Sequence, residues 1–198
     1  MNIFRIALIH FIETERTLLA KMLSCVSGYE FVINRDIYEW KRLYHIDDSR
    51  VNSFENQFLL LTSSFIERVK SETDQSAFIS NGAVFSEALT LKLKINEKKI
   101  ECYQPEEIEM IESLLNIAGR YAAHHYDQVI HIQSSDTTSF NEMSVAFYEK
   151  YHVAYKIFDG NSKLNDIFEN IIQKIEIPRV QPLENAIYEA VRLVTFKN

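Results

Sequence analysis

The chain has 198 residues, a formal net charge of -7 from 21 Lys+Arg against 28 Asp+Glu, and only 4 glycines, where average usage of roughly 7% gives about 14. A dinucleotide-binding turn takes three glycines within six residues and a phosphate-cradling loop takes two, so glycines at 28, 82, 119 and 160 leave neither motif intact. The acidic balance argues against a nucleic-acid partner, and the cluster Lys92, Lys94, Lys98, Lys99, interrupted by Glu97 and closed by Glu101, reads as a solvated face.

In chain order, Ile3 to Ile9 is a compact apolar run of the kind a strand buried on both faces shows. Thr14 to Val26 follows as a helix, with Leu18, Leu19, Met22, Leu23 and Val26 at the spacing of one face. Tyr29 to Asn34 reads as a second strand and Asp36 to Tyr44 as a short helix. Ser53 to Lys70 is a long helix, apolar through Phe54, Phe58, Leu61, Phe65 and Val69. Ala77 to Ser80 is a third strand, and Ala83 to Lys94 a helix with Phe85, Ala88, Leu89 and Leu93 on one side. Pro105, whose missing donor costs nothing at a helix start, opens a helix running to His125. Gln128 to Ile132 is a fourth strand, Ser134 to Ser139 a polar loop, Phe140 to Tyr151 a helix and Val153 to Phe158 a fifth strand. After the turn signal Asp159-Gly160-Asn161, a helical stripe runs from Leu164 to Ile175. Pro178 and Pro182 end it before a last helix carrying Leu183, Ile187, Ala190, Val191 and Val194 on one face.

Five strands separated by helices predict an α/β fold: three layers, α/β/α, around a five-stranded parallel sheet covered on both sides, as one domain over residues 1–198. Ligands in such sheets bind beyond the carboxyl ends of the strands, which selects residues 10 to 17, 34 to 36, 81 to 83, 134 to 139 and 159 to 163. Cys25 and Cys102 fit neither a metal spacing nor a disulfide framework, and no stretch approaches 18 apolar residues. A cytoplasmic protein with no membrane partner is the expectation.

The segment RIALI, then His10 to Thr17 (HFIETERT), then LLAKML reads as strand, eight-residue loop, helix. A phosphate loop reads G-x-x-x-x-G-K-[ST] at that place. Laid on this chain, the glycines fall on His10 and Glu15, the lysine on Arg16 and the hydroxyl on Thr17. Arg5, Ile6, Leu8, Thr17, Leu18, Ala20 and Leu23 follow a frame that resembles the P-loop nucleoside and nucleotide kinases, specifically the ribosylnicotinamide-kinase-like AAA group. A glutamine-containing helix like Asn56-Gln57-Phe58 precedes a strand that ends in Asp-Arg in that family and in Asn81-Gly82 here. Asp127-Gln128-Val129-Ile130 matches its penultimate strand. Ser134 to Ser139 falls on its phosphate lid, where Asp136 remains without a following arginine.

The resemblance implies a P-loop NTPase-like fold and a nucleotide or other phosphate-bearing small molecule as ligand. Its chemical positions are changed. Glu15 and Glu13 put carboxylates where backbone amides would meet phosphate, and two like unit charges at 4 Å repel by about 1 kcal/mol in water and roughly 4 at an effective dielectric of 20. Arg16 is longer and planar, not a direct replacement for lysine. Thr17 is the residue to hold magnesium, but Asn81 replaces the acidic partner. The expectation is a protein with degenerate Walker A and Walker B motifs and weak or no ATP hydrolysis, retained for ligand binding or protein interaction. The alternative is an active ATP-dependent nucleoside or nucleotide kinase with an atypical phosphate loop, using ATP and magnesium. A third reading is a purely structural partner, a homodimer using an aromatic-rich surface.

Within residues 10 to 17, two readings stand side by side. One is an unusual phosphate site of His10, Glu13, Thr14, Glu15, Arg16, Thr17 and backbone amides. The other is an ordinary connection in which Thr14 caps the helix and Glu13 and Glu15 suit its dipole. Asn34, Arg35 and Asp36 follow the second strand: Asp36 is the candidate base for an acceptor hydroxyl and Arg35 a holder of an anionic group, or they form a helix cap and a surface ion pair. Arg35, Asp36, Asn81 and Asp136 are the substrate-side candidates. His124 and His125 point about 100° apart on one helix and cannot readily share a metal.

Overall fold

The computed structural model describes residues 4–10, 12–33, 35, 37–97 and 104–195. Asn34, Asp36, Lys98, Lys99, Glu101 and Cys102 lie outside the described residues, as does the side chain of Glu13.

The elements in order are β1 (Arg5–His10), α1 (Glu13–Ser27), β2 (Glu30–Val32), α2 (Ile37–Leu43), α3 (Phe54–Thr73), β3 (Phe78–Ser80), α4 (Ser86–Asn96), α5 (Pro105–His125), β4 (Gln128–Gln133), α6 (Thr138–Tyr151), β5 (Tyr155–Asp159), α7 (Leu164–Lys174) and α8 (Leu183–Thr195). The five strands form one all-parallel sheet in the order β2-β3-β1-β4-β5. Ile6 stands opposite Ile79 of β3 on one side and Gln128 of β4 on the other, so β1 is central.

Alternation along β1 builds two cores. Ala7 and Ile9 face a cluster with Leu61 of α3, Phe85 and Leu89 of α4, Leu115 of α5 and Phe147 of α6. Ile6 and Leu8 face the other cluster, with Leu19 and Leu23 of α1, Phe168 and Ile171 of α7 and Ala190 of α8. The sheet is therefore the middle layer of a three-layer α/β/α sandwich, with helices on both sides. Its cover thins at the edge: of β5 only Phe158 is buried, and Ile157 is 44% exposed. Among the described residues, the exposed large apolar side chains are mostly aliphatic, with only Phe4, Tyr44 and Tyr188 aromatic. Among the described residues, rings such as Phe78, Phe85 and Tyr148 fill the core rather than the surface.

Local signals set the element ends. Ser53 accepts the Asn56 amide through its hydroxyl at the start of α3, and Glu107 accepts the Gln104 amide at 2.6 Å ahead of Pro105 in α5. Gly28 closes α1 in the left-handed region, φ 71°, where a side chain would be strained. Asp127 accepts the amides of Phe4 and Arg5 and pairs with the Arg5 guanidinium at 2.9 Å, tying the start of β1 to β4. Among the described residues no helix is long and apolar enough to cross a membrane.

The main departures lie at connections. Helix α1 starts at Glu13, one residue ahead of the helix start expected at Thr14, so the phosphate-loop frame over residues 10 to 17 is mostly helix and only two residues separate β1 from α1. The cap position is Ile12, with φ −84° and ψ 109°, rather than Thr14. The expected polar loop after β4 is a 3-10 turn over Ser135–Thr137 that runs straight into α6.

Candidate functional site

The β1–α1 connection is held by its own groups. His10, 3% exposed at the end of β1, places Nδ1 3.0 Å from the Ile12 amide and 3.1 Å from its carbonyl. Its Nε2 faces Glu15 Oε2 at 3.7 Å. The Arg16 amide donates to the Ile12 carbonyl at 3.0 Å as the first helical bond of α1, while the Arg16 guanidinium reaches back to the His10 carbonyl at 3.5 Å. Thr14 is exposed on the second residue of the helix. Thr17 Oγ1 accepts a hydrogen bond from Asn81 Nδ2 at 3.3 Å, so the residue expected to hold magnesium meets directly the amide that stands in place of the acidic partner.

Beyond the carboxyl ends of β2 and β3, α1, α2, α3 and α4 enclose a cavity of about 230 Å³. Arg16, Arg35 and Asn81 line it, so three of the expected site residues converge there. Asp136 does not join them: it is exposed in the 3-10 turn after β4. A second, more open cavity of about 700 Å³ lies beyond β4 and β5, lined by Ser134, Ser135, Asn141, Glu142, Asp159 and Asn161 among others. The five carboxyl-end loops thus serve two separate cavities, and Asp136 lines neither. Among the described residues no group of three or more His, Cys, Asp or Glu is arranged to hold a metal ion.

Arg35 meets Glu67 twice: its amide and its Nε each lie 3.2 Å from a carboxylate oxygen, and its guanidinium sits 5.1 Å above the Trp40 ring. Arg35 thus pairs with Glu67 of α3 over an aromatic floor, while its expected neighbours Asn34 and Asp36 lie outside the described residues.

Residues in and behind the wall of the first cavity were not among the sequence-derived candidates. Arg68 is the largest fully buried side chain. Its Nη1 donates to Ser80 Oγ at 2.7 Å and to the Gly82 carbonyl at 2.8 Å, and its Nη2 lies 3.7 Å from Glu87. Glu72, one turn on, is fully buried and accepts from Tyr126 at 3.1 Å and Tyr121 at 3.3 Å. Burial pushes the Glu72 carboxyl up from 4.5 to about 7, against the pull of Arg68 and of its hydrogen bonds. Tyr126 in turn accepts the Val84 amide at 3.0 Å, so the network runs from the cavity wall to the loop after β3. Ser64, Arg68 and Glu72 recur at intervals of four along α3, a polar stripe on one helix face that could have pointed to this cluster.

Near the second cavity, His131 of β4 is 1% exposed between Tyr148 Oη at Nδ1, 3.0 Å, and Asn141 Oδ1 at Nε2, 3.2 Å. Burial drives its imidazole down from 6.5 to about 4, so it is neutral at neutral pH.

No protein-family model matches the chain, and no curated protein matches it. Solved structures do. Deoxyadenosine kinase from M. mycoides with bound dATP is similar with a TM-score of 0.65 and 14% identity over 85% of this chain and 97% of that one. The kinase with products dCMP and a flexible dCDP bound gives 0.61 and 15%, and with bound dCTP 0.59 and 16%, over the same shares. At these identities the likeness shows the fold alone, an all-parallel five-stranded sheet covered by helices on both sides.

Proposed function

We propose that this protein is a degenerate P-loop-kinase-like protein that has weak or no ATP hydrolysis and is retained for ligand binding in the cavity beyond β2 and β3. The observation that carries this reading is the start of α1 at Glu13, four residues ahead of Thr17. A phosphate loop works because successive backbone amides converge on an anion ahead of the helix. Here the Arg16 amide is spent on Ile12, and the imidazole of His10 and the carboxylate of Glu15 occupy the mouth of the connection. Asn81 brings an amide rather than a carboxylate to Thr17, which removes the anionic oxygen a magnesium ion would use beside the Thr17 hydroxyl. The nucleotide ligands of the similar kinases support a nucleotide-like or phosphate-bearing small molecule as the kind of ligand to test.

Thermal shift with ATP, with and without magnesium, tests the reading, since a ligand at 100 times its dissociation constant stabilises by about 2.7 kcal/mol. The expected result is no magnesium-dependent shift and no phosphate release. A magnesium-dependent shift with turnover of ATP overturns it in favour of an active kinase using Arg16 and Asp36.

A further inference from the structure

The first cavity has an unusual balance of donors and acceptors. Two of its lining residues carry buried N–H groups with no hydrogen-bond partner among the described residues: Nε of Arg68 and Nε1 of Trp40. Both side chains are more than nine-tenths buried, at 2% and 8% exposure. Buried donors without acceptors are rare, and each costs free energy that an acceptor would recover. Charge runs the same way. Arg16, Arg35, Arg68 and Lys94 line the cavity against one carboxylate, Glu87, in a chain whose net charge is -7.

Arg68 is also poorly compensated. Its contact with Glu87, 3.7 Å, is longer than the 2.7–2.9 Å of a charge-assisted hydrogen bond, and Glu87 is only half-buried. Glu72, its other carboxyl neighbour, is held partly protonated at neutral pH by burial. The guanidinium cannot retreat: Ser80 and the Gly82 carbonyl hold Nη1, and Gly82 leaves no side chain between the strand end and Arg68. Arg68 is a fixed, buried cation in the cavity wall, beside donors with no partner among the described residues, and an acceptor-rich anion would compensate it. The remaining wall is apolar, with Leu60, Leu61 and Leu91 beside the Trp40 indole.

We infer that this cavity binds a small molecule with an oxyanion head, a phosphomonoester or carboxylate, on an apolar or ring-bearing body, with Arg68 as the principal anion-binding residue and Lys94 at the rim. Glu87 then acts as a weak internal competitor that the ligand's oxyanion displaces. The inference rests on the proposed role of this cavity as the ligand site, and specifies which class of molecule it selects: the charged form rather than a neutral nucleoside.

Isothermal titration of the full chain in phosphate-free, low-salt buffer tests it with deoxyadenosine 5′-monophosphate, deoxyadenosine, inorganic phosphate and succinate. The monophosphate binds about tenfold or more tightly than deoxyadenosine, the margin that one hydrogen bond to a charged group provides. Arg68→Met removes that margin. Because Arg68 is buried, two variants at accessible positions are measured beside it: Lys94→Ala weakens the monophosphate a few-fold, and Glu87→Gln tightens it by a similar factor. Stronger binding of phosphate than succinate assigns the head as a phosphoryl group, and the reverse assigns a carboxylate. Equal affinity for nucleoside and monophosphate, a margin indifferent to both Lys94→Ala and Glu87→Gln, or no binding of any of the four overturns the inference. Turnover of magnesium-ATP with the charge preference intact overturns only the reading of weak or absent hydrolysis.

Discussion

Asn81 Nδ2 donates to Thr17 Oγ1 at 3.3 Å, joining the end of β3 to the second turn of α1. In a magnesium-binding arrangement these two positions would each offer oxygen to the ion; here one offers a proton to the other. Restoring a carboxylate does not restore the rest of the machinery, because the amides ahead of Thr17 remain inside α1. Asn81→Asp is therefore expected to leave phosphate release from magnesium-ATP at background, measured by a coupled phosphate assay. The new carboxylate is buried, Asn81 being 4% exposed, so the variant also loses about 1–3 kcal/mol in urea unfolding at pH 7. Robust hydrolysis by Asn81→Asp would show that the helix start yields to nucleotide.

Much of the fold was legible because periodicity is a local property. The stripe of Ile108, Ile111, Leu114, Leu115, Ala118 and Ala122 and the proline at the helix start place α5 from Pro105 to His125 in sequence and structure alike. Ile108, expected inward, is 36% exposed because it lies in the first turn, ahead of the buried face. Arg16, Arg35 and Asn81 were likewise found from their positions at strand ends, and they do share a cavity. What stayed hidden depends on distant partners. Ile12 rather than Thr14 precedes α1 because His10 engages the Ile12 backbone, a bond no helix-capping pattern contains. Arg68, and Glu72 beyond the expected helix end at Lys70, were not among the sequence-derived candidates; their partners Ser80, Tyr121 and Tyr126 reach them from 12 to 54 residues away.

Glu72 gives the protein a destabilising response to rising pH. Its folded-state value of about 7 exceeds the ordinary 4.5, so between those limits the folded chain keeps a proton that the unfolded chain releases. Stability from this group is full below about 4.5 and falls as pH rises toward 7, by roughly 3 kcal/mol across the window. Glu72→Gln removes that loss. The difference in Tm between Glu72→Gln and the parent should move in favour of the variant from pH 5 to pH 8 by calorimetry; a difference independent of pH would place the carboxyl near its ordinary value.

His131 acts in the opposite direction. Its folded-state value of about 4 lies below the ordinary 6.5, so the unfolded chain takes up the proton first as pH falls. Stability from the neutral imidazole is present above 6.5 and drains away toward 4, again by roughly 3 kcal/mol. Between 4.5 and 6.5 the two groups oppose each other, which flattens the parent's profile. His131→Gln should unmask the Glu72 slope, giving a variant whose Tm falls more steeply than the parent's from pH 4.5 to 6.5. Parallel profiles would mean that His131 titrates normally.

Gly82, like Gly119 and Gly160, is a position where space rather than backbone freedom demands glycine. A Cβ there would stand 2.9 Å from Nη2 and 3.2 Å from Nη1 of Arg68. Arg68 cannot yield freely, because Nη1 is fixed by Ser80 Oγ and by the Gly82 carbonyl itself. Gly82→Ala thus forces the guanidinium off one of these acceptors or further from Glu87, and overpacking of this kind costs about 1–3 kcal/mol. Urea unfolding should show that loss, and the variant should lose affinity for deoxyadenosine 5′-monophosphate alongside it. Arg68→Met frees the space, so in that background Gly82→Ala should cost less than half as much, a coupling that a double-mutant cycle reads directly. Additive costs would mean that the two residues do not share this space.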